Sequence, residues 1–492
     1  MKRAVTKVAA PASTDVGASL TCTPLDRELL RLRERVLGDV VTPGDEAYEA
    51  ARRVWNASID RRPRLIVQCR TVDDVLAAVE FARSSGLLAA VRGGGHHIAG
   101  FSTCDDGIVI DLSPMKDVSV DPRARRARAQ GGVVWGELDR ATQDFGLAVT
   151  GGLVSSTGIA GFTLGGGLGW LMRKHGLTCD RLVAVDVVTP DAELVRASET
   201  ENADLLWGLR GGGGNFGIVT SFEYELHEVG PDLVSGYRFY PGDRAGDVLR
   251  LFRELSREGP DELQLGVVLR LALPSPFLPE AVHGKPVAAL GVCYAGSIED
   301  AWQALKPLDA LGAPLADLVR VAPYTSLQTM LDAAWAPGFQ NYWRAEYLRE
   351  MPDAAMDVLF DGLHSITSPL SDFKVFALGG AIARVPEEAT AYSHREAPLV
   401  LNINARWSDG ADSTRHVTWT RSLWDAMQPF SAGGGYTNWM GDEGPDRIRA
   451  AYGERKFERL VALKARYDPT NFLRLNQNIP PSMLLRRERR RR

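Results

Sequence analysis

Between residues 151 and 169 the chain places eight glycines, in the run Gly151-Gly152-Leu153-Val154-Ser155-Ser156-Thr157-Gly158-Ile159-Ala160-Gly161-Phe162-Thr163-Leu164-Gly165-Gly166-Gly167-Leu168-Gly169. Glycine loses more backbone freedom on ordering than any other residue, so this density is costly unless the backbone must come close to something. Close approach to a large, flat, phosphate-bearing molecule is one need that asks for it. A second stretch, Val91–Gly100, reads V-R-G-G-G-H-H-I-A-G and follows the apolar run Leu87-Leu88-Ala89-Ala90-Val91. Two readings stand open for it. Its N–H groups can cradle an anionic ligand, with Arg92 as a fixed charge suited to phosphate. Or it is a tight turn leaving a buried strand, with His96 and His97 as incidental polar residues.

Taken together, the two stretches resemble the FAD-linked oxidases of the berberine bridge enzyme type, within the vanillyl-alcohol oxidase superfamily. The family pattern R-x-G-G-H is matched by Arg92, Gly94, Gly95 and His96. A glycine-rich loop closing in G-G-G-x-G and followed by M-R-K-x-G-L is matched by Gly165–Gly169 and Met172–Leu177. The resemblance implies an α+β chain with a two-domain PCMH-type FAD-binding fold, its substrate domain built on an antiparallel sheet. It implies cofactor contacts at Arg92, Gly93, Gly94, Gly95, His96, Gly152, Ser155, Thr157, Gly158, Gly161, Gly217, Val219, Asn476 and Asn478. It also implies that His96 carries the flavin covalently at the 8α carbon, for which a neutral imidazole is a suitable nucleophile. Relatives that attach the flavin twice use a Cys where this chain has Val154, so a single attachment is expected. Phe162 stands where several relatives have a His.

At 492 residues the chain exceeds one ordinary core, and two domains are the default. A 45% hydrophobic and 24% charged composition is that of a soluble globular protein. The net charge of −5 hides an asymmetry: Arg486–Arg492 holds six Arg and one Glu, leaving −10 for the remainder. An acidic body argues against nucleic acid as partner, and the basic tail reads as a solvated, disordered end. Cysteines at 22, 69, 104, 179 and 293 form no C-x-x-C pair and suggest neither zinc nor a disulfide framework. His175, His227, His283, His364, His394 and His416 show no metal-ligand spacing, so no metal is expected. No apolar run fits a membrane span or signal peptide, which points to a cytoplasmic, reduced protein; Asn56-Ala57-Ser58 is then a chance glycosylation match.

Along the chain, residues 1–24 read as disordered and Leu25–Leu37 as a polar helix. Leu65-Ile66-Val67 opens a βαβ unit whose helix starts at a Thr71/Asp74 capping box, with Val72, Val75, Leu76 and Val79 on one face. Its second strand delivers the loop at Arg92 from a carboxyl end, where open α/β sheets bind ligands. Strands are predicted at Ile108–Leu112 and Val118–Val120, and an amphipathic helix at Val134–Phe145. Leu182–Val188 and Glu193–Arg196 form a hairpin about Thr189-Pro190-Asp191. Gly212, Gly214 and Gly217 match G-x-G-x-x-G, but Ile218–Leu226 alternates like a strand where a dinucleotide fingerprint needs a helix; by resemblance this segment flanks the adenine end of FAD. Past Gly230, alternating runs at Leu263–Leu273, Val287–Tyr294, Phe373–Ala383 and Val400–Trp407 interleave with helical Asp243–Arg257 and Ser297–Lys306, indicating an antiparallel sheet with helices. The expected division is a 1–59 extension, a 60–230 FAD-binding domain, a 231–440 substrate domain, a 441–480 return to the first, and a 481–492 tail.

Oxidation through flavin needs a base for the proton that leaves as hydride is transferred. Relatives use a Tyr of a Y-x-N-Y segment or a Glu in the last substrate-domain strand. Here the segment is Tyr436-Thr437-Asn438-Trp439, and Leu401-Asn402-Ile403-Asn404 holds no Glu. Indole is no base, which leaves Tyr436 as the catalytic candidate against a bland role as a pocket-wall aromatic. A neutral amine substrate needs no strong base. Trp335, Phe339, Tyr342 and Trp343 cluster in a loop-like region around Asn341; Trp335, Tyr342, Asn438 and Trp439 are the expected substrate contacts, or else ordinary core at the domain interface. The activity implied is hydride transfer from an alcohol or amine carbon of a small secondary-metabolite-like molecule to FAD, with O₂ as oxidant giving H₂O₂. A flavin dehydrogenase and a non-catalytic flavoprotein are the rivals.

Overall fold

The computed structural model describes residues 24–408 and 413–482. Cys22, the stretch before Pro24 and the Arg-rich tail, for which disorder was expected, lie outside the described residues.

Three sheets carry the site. In the first, Ala89–Arg92, Ile108–Asp111 and Leu65–Gln68 run parallel, with Asp39–Val41 antiparallel at the edge. Continuous apolar runs such as Ile108-Val109-Ile110 suit a parallel sheet covered on both faces, and all three are buried. The crossover helix Val72–Ser84 starts where the sequence places it. Thr71 Oγ1 accepts from the Asp74 N–H at 3.3 Å and the Asp74 carboxylate accepts from the Thr71 N–H at 3.2 Å, satisfying two donors that a helix start otherwise leaves orphaned.

The second sheet has five antiparallel strands in the order Val118–Asp121, Arg126–Gln130, Ile218–Glu225, Leu182–Val188, Leu194–Ser198. The hairpin at Thr189 closes as expected, Thr189 N–H donating to Glu193 O at 2.8 Å. The helix Glu454–Tyr467 returns to this layer and buries Phe457, Leu460 and Leu463 beside Trp207 and Phe216. Its end is locked by a fully buried pair: Lys464 Nζ donates to Asp468 Oδ2 (2.8 Å), Asn215 O (2.8 Å) and Leu473 O (2.7 Å).

The third sheet is antiparallel and built around Asp232–Pro241, Pro286–Tyr294, Leu263–Leu271, Asp372–Ala377, Leu399–Trp407 and Gln340–Leu348, adjacent in that order. Alternation sorts its faces. Leu265, Val267, Leu290, Phe373, Val375, Leu401 and Ile403 pack against the helices Ala245–Glu258, Asp353–His364 and Ser413–Met427. The other face looks toward the glycine-rich loops. Two expectations change here. The run Phe373–Ala383 is a strand only to Ala377, since a Gly379-Gly380 turn leads into the short helix Ala381–Arg384. Tyr342 and Trp343 belong to a strand, not a loop, because Gln340–Leu348 pairs along its whole length with Leu399–Trp407.

The motif M-R-K-x-G-L ties the third sheet to the loops. Arg173, 5% exposed, donates from Nη1 to Ser256 O (3.0 Å) and Leu378 O (2.7 Å), and from Nη2 to Gly259 O (3.3 Å). Lys174 Nζ reaches Ala295 O at 2.6 Å.

Candidate active site

The first glycine-rich loop leaves the sheet at Arg92 and the second crosses it backbone to backbone. A Cβ at Gly94 would lie 2.3 Å from Gly158 N, and one at Gly158 would lie 2.4 Å from Gly94 N. No side chain fits at either position. Gly161 and Gly214 differ: a Cβ there would meet no atom within 4 Å, yet both line the central cavity. Their bare backbone is a cradle that a methyl group would partly fill. Among the described residues, the N–H groups of Gly94, Gly95, His96 and His97 donate to no protein acceptor.

The C-terminal return closes the far wall. Asn215 Nδ2 donates to Gly212 O (2.9 Å) and Gln477 O (3.1 Å), which joins the third glycine stretch to Asn476–Asn478. Asn476 Oδ1, Gln477 Oε1 and Tyr452 Oη are buried, line the cavity and have no partner. Buried polar atoms are rarely left unpaired, so these are open positions for a ligand. Free backbone donors, unpartnered acceptors and an apolar groove are the donor set FAD requires.

The structure gathers Gly93, Gly94, Gly95, His96, Gly152, Thr157, Gly158, Gly161, Gly217, Val219, Asn476, Trp335, Asn438 and Trp439 around one cavity. His96 Nε2 lies 3.1 Å from Ser156 Oγ and its ring stacks on Trp55 at 5.4 Å. Burial pulls its pKa down to about 4, with Asp332 opposing. His97 also lines the cavity, accepts from the Ala99 N–H through Nδ1 at 3.1 Å and is likewise lowered to about 4 by burial.

Five expected site residues stand elsewhere. Arg92 does not face the cavity: its guanidinium is spent on Asp111 at 2.7 Å, a pair 7% and 2% exposed. Ser155 gives both its N–H (2.8 Å) and its Oγ (2.6 Å) to Asp332, so it braces the second loop rather than a ligand. Asn478 is not on the cavity wall. Tyr342 turns away, its hydroxyl accepting from Arg421 Nε at 3.0 Å, because strand alternation puts it opposite to Trp343. Tyr436 is fully buried off the cavity, its hydroxyl oxygen accepting from Gly167 N–H (2.9 Å), Leu168 N–H (3.3 Å) and Asn438 Nδ2 (2.7 Å). Burial drives its pKa upward. A phenol so held shapes the second loop and is not placed to take a substrate proton.

Sequence reading missed the charged end of the cavity, where Arg270, Asp372 and Lys374 line the wall with Tyr237, Phe239 and Phe376. Lys374 Nζ lies 3.1 Å from Asp372 Oδ1 and 4.1 Å from the Trp335 ring centre. Burial lowers the ammonium pKa and Asp372 opposes that shift. One signal was available: polar Asp372 and Lys374 alternate with apolar residues in a strand that is buried throughout.

Two family models match the chain, "FAD binding domain" over residues 63–198 and "Berberine and berberine like" over residues 435–480. A FAD-linked oxidoreductase of Dictyostelium discoideum is 31% identical over 454 residues, covering 91% of this chain and 96% of that one. (R)-6-hydroxynicotine oxidase of Paenarthrobacter nicotinovorans is 29% identical, with 91% and 97% covered. The crystal structure of 6-hydroxy-D-nicotine oxidase from Arthrobacter nicotinovorans superposes with a TM-score of 0.81 at 27% identity, covering 91% of this chain and 98% of that one. With a relative above 30% identity along almost the full length of both chains, and with both family models matched, this chain belongs to the berberine bridge enzyme-like family of FAD-linked oxidoreductases.

Proposed function

We propose that the protein is an oxidase for an alcohol or amine carbon of a small molecule, with FAD held covalently and singly through His96. Residues 60–230 and 441–480 hold the cofactor and 231–440 the substrate. Bound there, FAD supplies a two-electron hydride acceptor that O₂ can reoxidise with release of H₂O₂. Gly94, Gly95, Gly158, Gly161 and Gly214 would receive it along bare backbone, and Asn476, Gln477 and Tyr452 would accept from its polar edge.

The observation that carries this reading is His96 itself. Its imidazole sits on the cavity wall, kept neutral by burial down to about pH 4 and oriented by Ser156 and Trp55. A neutral ring keeps a nitrogen lone pair, as attachment needs. Val154, packed beside Trp55, Ile98 and Trp335, offers no second nucleophile. Trp439, Phe376 and Tyr237 give the space in front of the loops an aromatic wall.

The test is colour and mass. Acid-precipitated wild-type protein is expected to give a yellow pellet and a mass raised by one FAD, and His96→Ala a colourless pellet with unmodified mass. A wild-type pellet that sheds all flavin overturns covalent attachment. H₂O₂ formation in air with consumption of O₂ separates an oxidase from a dehydrogenase.

A further inference from the structure

The wall of the cavity opposite the glycine loops is one face of the third sheet, and strand register lays its side chains in rungs. One rung aligns Tyr237 with Gly291, Gly266, Phe376 and Val400. The next aligns Phe239, Ala289, Val268, Lys374 and Asn402, and all five line the cavity. The third aligns Arg270 with Asp372, Asn404 and Trp343. Polarity therefore rises in steps across the wall, from an aromatic side to a charged side.

The charged side is out of balance. Lys374 and Arg406 are both drawn to a single carboxylate, Asp372, and Arg270 stands opposite it in the strand register. Lys374 is paired with it. Arg406, 2% exposed, is held by the carbonyls of Ala334 and Ala336. Among the described residues Arg270 has no ion-pair partner, its one hydrogen bond being to Leu271 O at 3.3 Å. Trp343 Nε1, buried beside the same rung, has no acceptor either. Arg270 is half-buried, and a surplus of cation withdrawn from water is costly unless an anion joins it. The surplus here borders an open cavity.

We propose that the substrate is an anion: a flat, apolar body carrying a carboxylate, seated with its body on Tyr237, Phe376 and Trp439 and its carboxylate between Arg270 and Lys374. This deepens the oxidase reading, on which it rests, by naming the substrate class. Asp372 then holds Lys374 in place, and the preference for a carboxylate is set by the two cations.

The experiment uses the flavin-loaded enzyme and three probes of one shape: 2-naphthoate, 2-naphthylmethanol and 2-naphthylmethylamine. Binding is read from the flavin visible spectrum and from tryptophan emission, neither of which requires turnover. The carboxylate is expected to bind at least tenfold more tightly than the alcohol and more tightly still than the amine. Arg270→Gln and Lys374→Met should each abolish that preference, while Asp372→Asn should sharpen it by removing the competing anion. Equal affinities, tighter amine binding or no response to naphthoate overturns the proposal, as does an Asp372→Asn variant that loses the preference. A colourless wild-type protein instead sinks the flavin reading, and tryptophan emission still reports the preference in that case.

Discussion

At the scale of single residues, glycine does two different jobs in this site, and the difference can be measured. Gly94 and Gly158 are where two loops touch, so Gly94→Ala forces backbone apart; overpacking of this kind costs about 1–3 kcal/mol. The expected result is a lowered melting temperature together with lost flavin. Gly161 lies in the helix Ile159–Leu164 and its missing side chain faces open space. Gly161→Ala should leave thermal stability unchanged or raise it by up to about 1 kcal/mol, the helix-propensity gain, while flavin content falls. Equal loss of stability in both variants would show that the two positions do not differ as described. Sequence spacing identified both glycines without separating their roles, since contact between residues 94 and 158 is a tertiary fact. The same holds for Arg92, whose charge was legible but whose partner Asp111 was not.

At the scale of elements, the helix Trp135–Gln143 supports the second loop through a buried carboxyl. Asp139 Oδ2 accepts from Gln328 Nε2 at 2.9 Å, and the same nitrogen donates to Gly152 O at 3.0 Å. Burial raises the Asp139 pKa to about 7, with the Gln328 bond opposing. In the unfolded chain the group ionises near 3.9. Its folded form holds the proton longer, so the stability it contributes is full below about pH 4 and is lost as pH rises through about 7. Asp139→Asn should raise stability at pH 8 by on the order of a few kcal/mol and leave it unchanged at pH 4, as read from melting curves. The stacked rings of His175 and His227, 4.2 Å apart, act with the opposite sign. Burial lowers them to about 3 and about 4. Their contribution is full above pH 6.5 and is lost as pH falls toward those values. His227→Phe should flatten the acid limb of the stability profile between pH 6.5 and 4, and an unchanged limb would refute the assignment. The sequence showed these helices and strands through their periodicity and caps, yet it could not show which buried polar groups they would bring together.

At the scale of the whole molecule, the cavity wall is assembled from distant stretches that must hold one geometry. Lys464, fully buried, ties the C-terminal return to the third glycine stretch through Asn215. Lys464→Met leaves Asp468 buried without its partner, a loss of about 3–5 kcal/mol. It should therefore lower both the melting temperature and the flavin content, although the residue touches no ligand. If stability falls while flavin content per folded molecule stays complete, the return does not shape the site. By itself the sequence determined the glycine-rich loops and the cap and strand periods, because those depend on local backbone freedom and on spacings of two to four residues, whereas the place of His96 was only implied by resemblance. Only the tertiary structure decided that Tyr436 faces a loop and not a substrate, that Arg92 is consumed by Asp111, and that Arg270 and Asp372 share a rung beside that of Lys374. Those outcomes depend on strand register and on which buried groups meet across 19 to 269 residues, and register is fixed by packing of the whole sheet, which no short window of sequence contains.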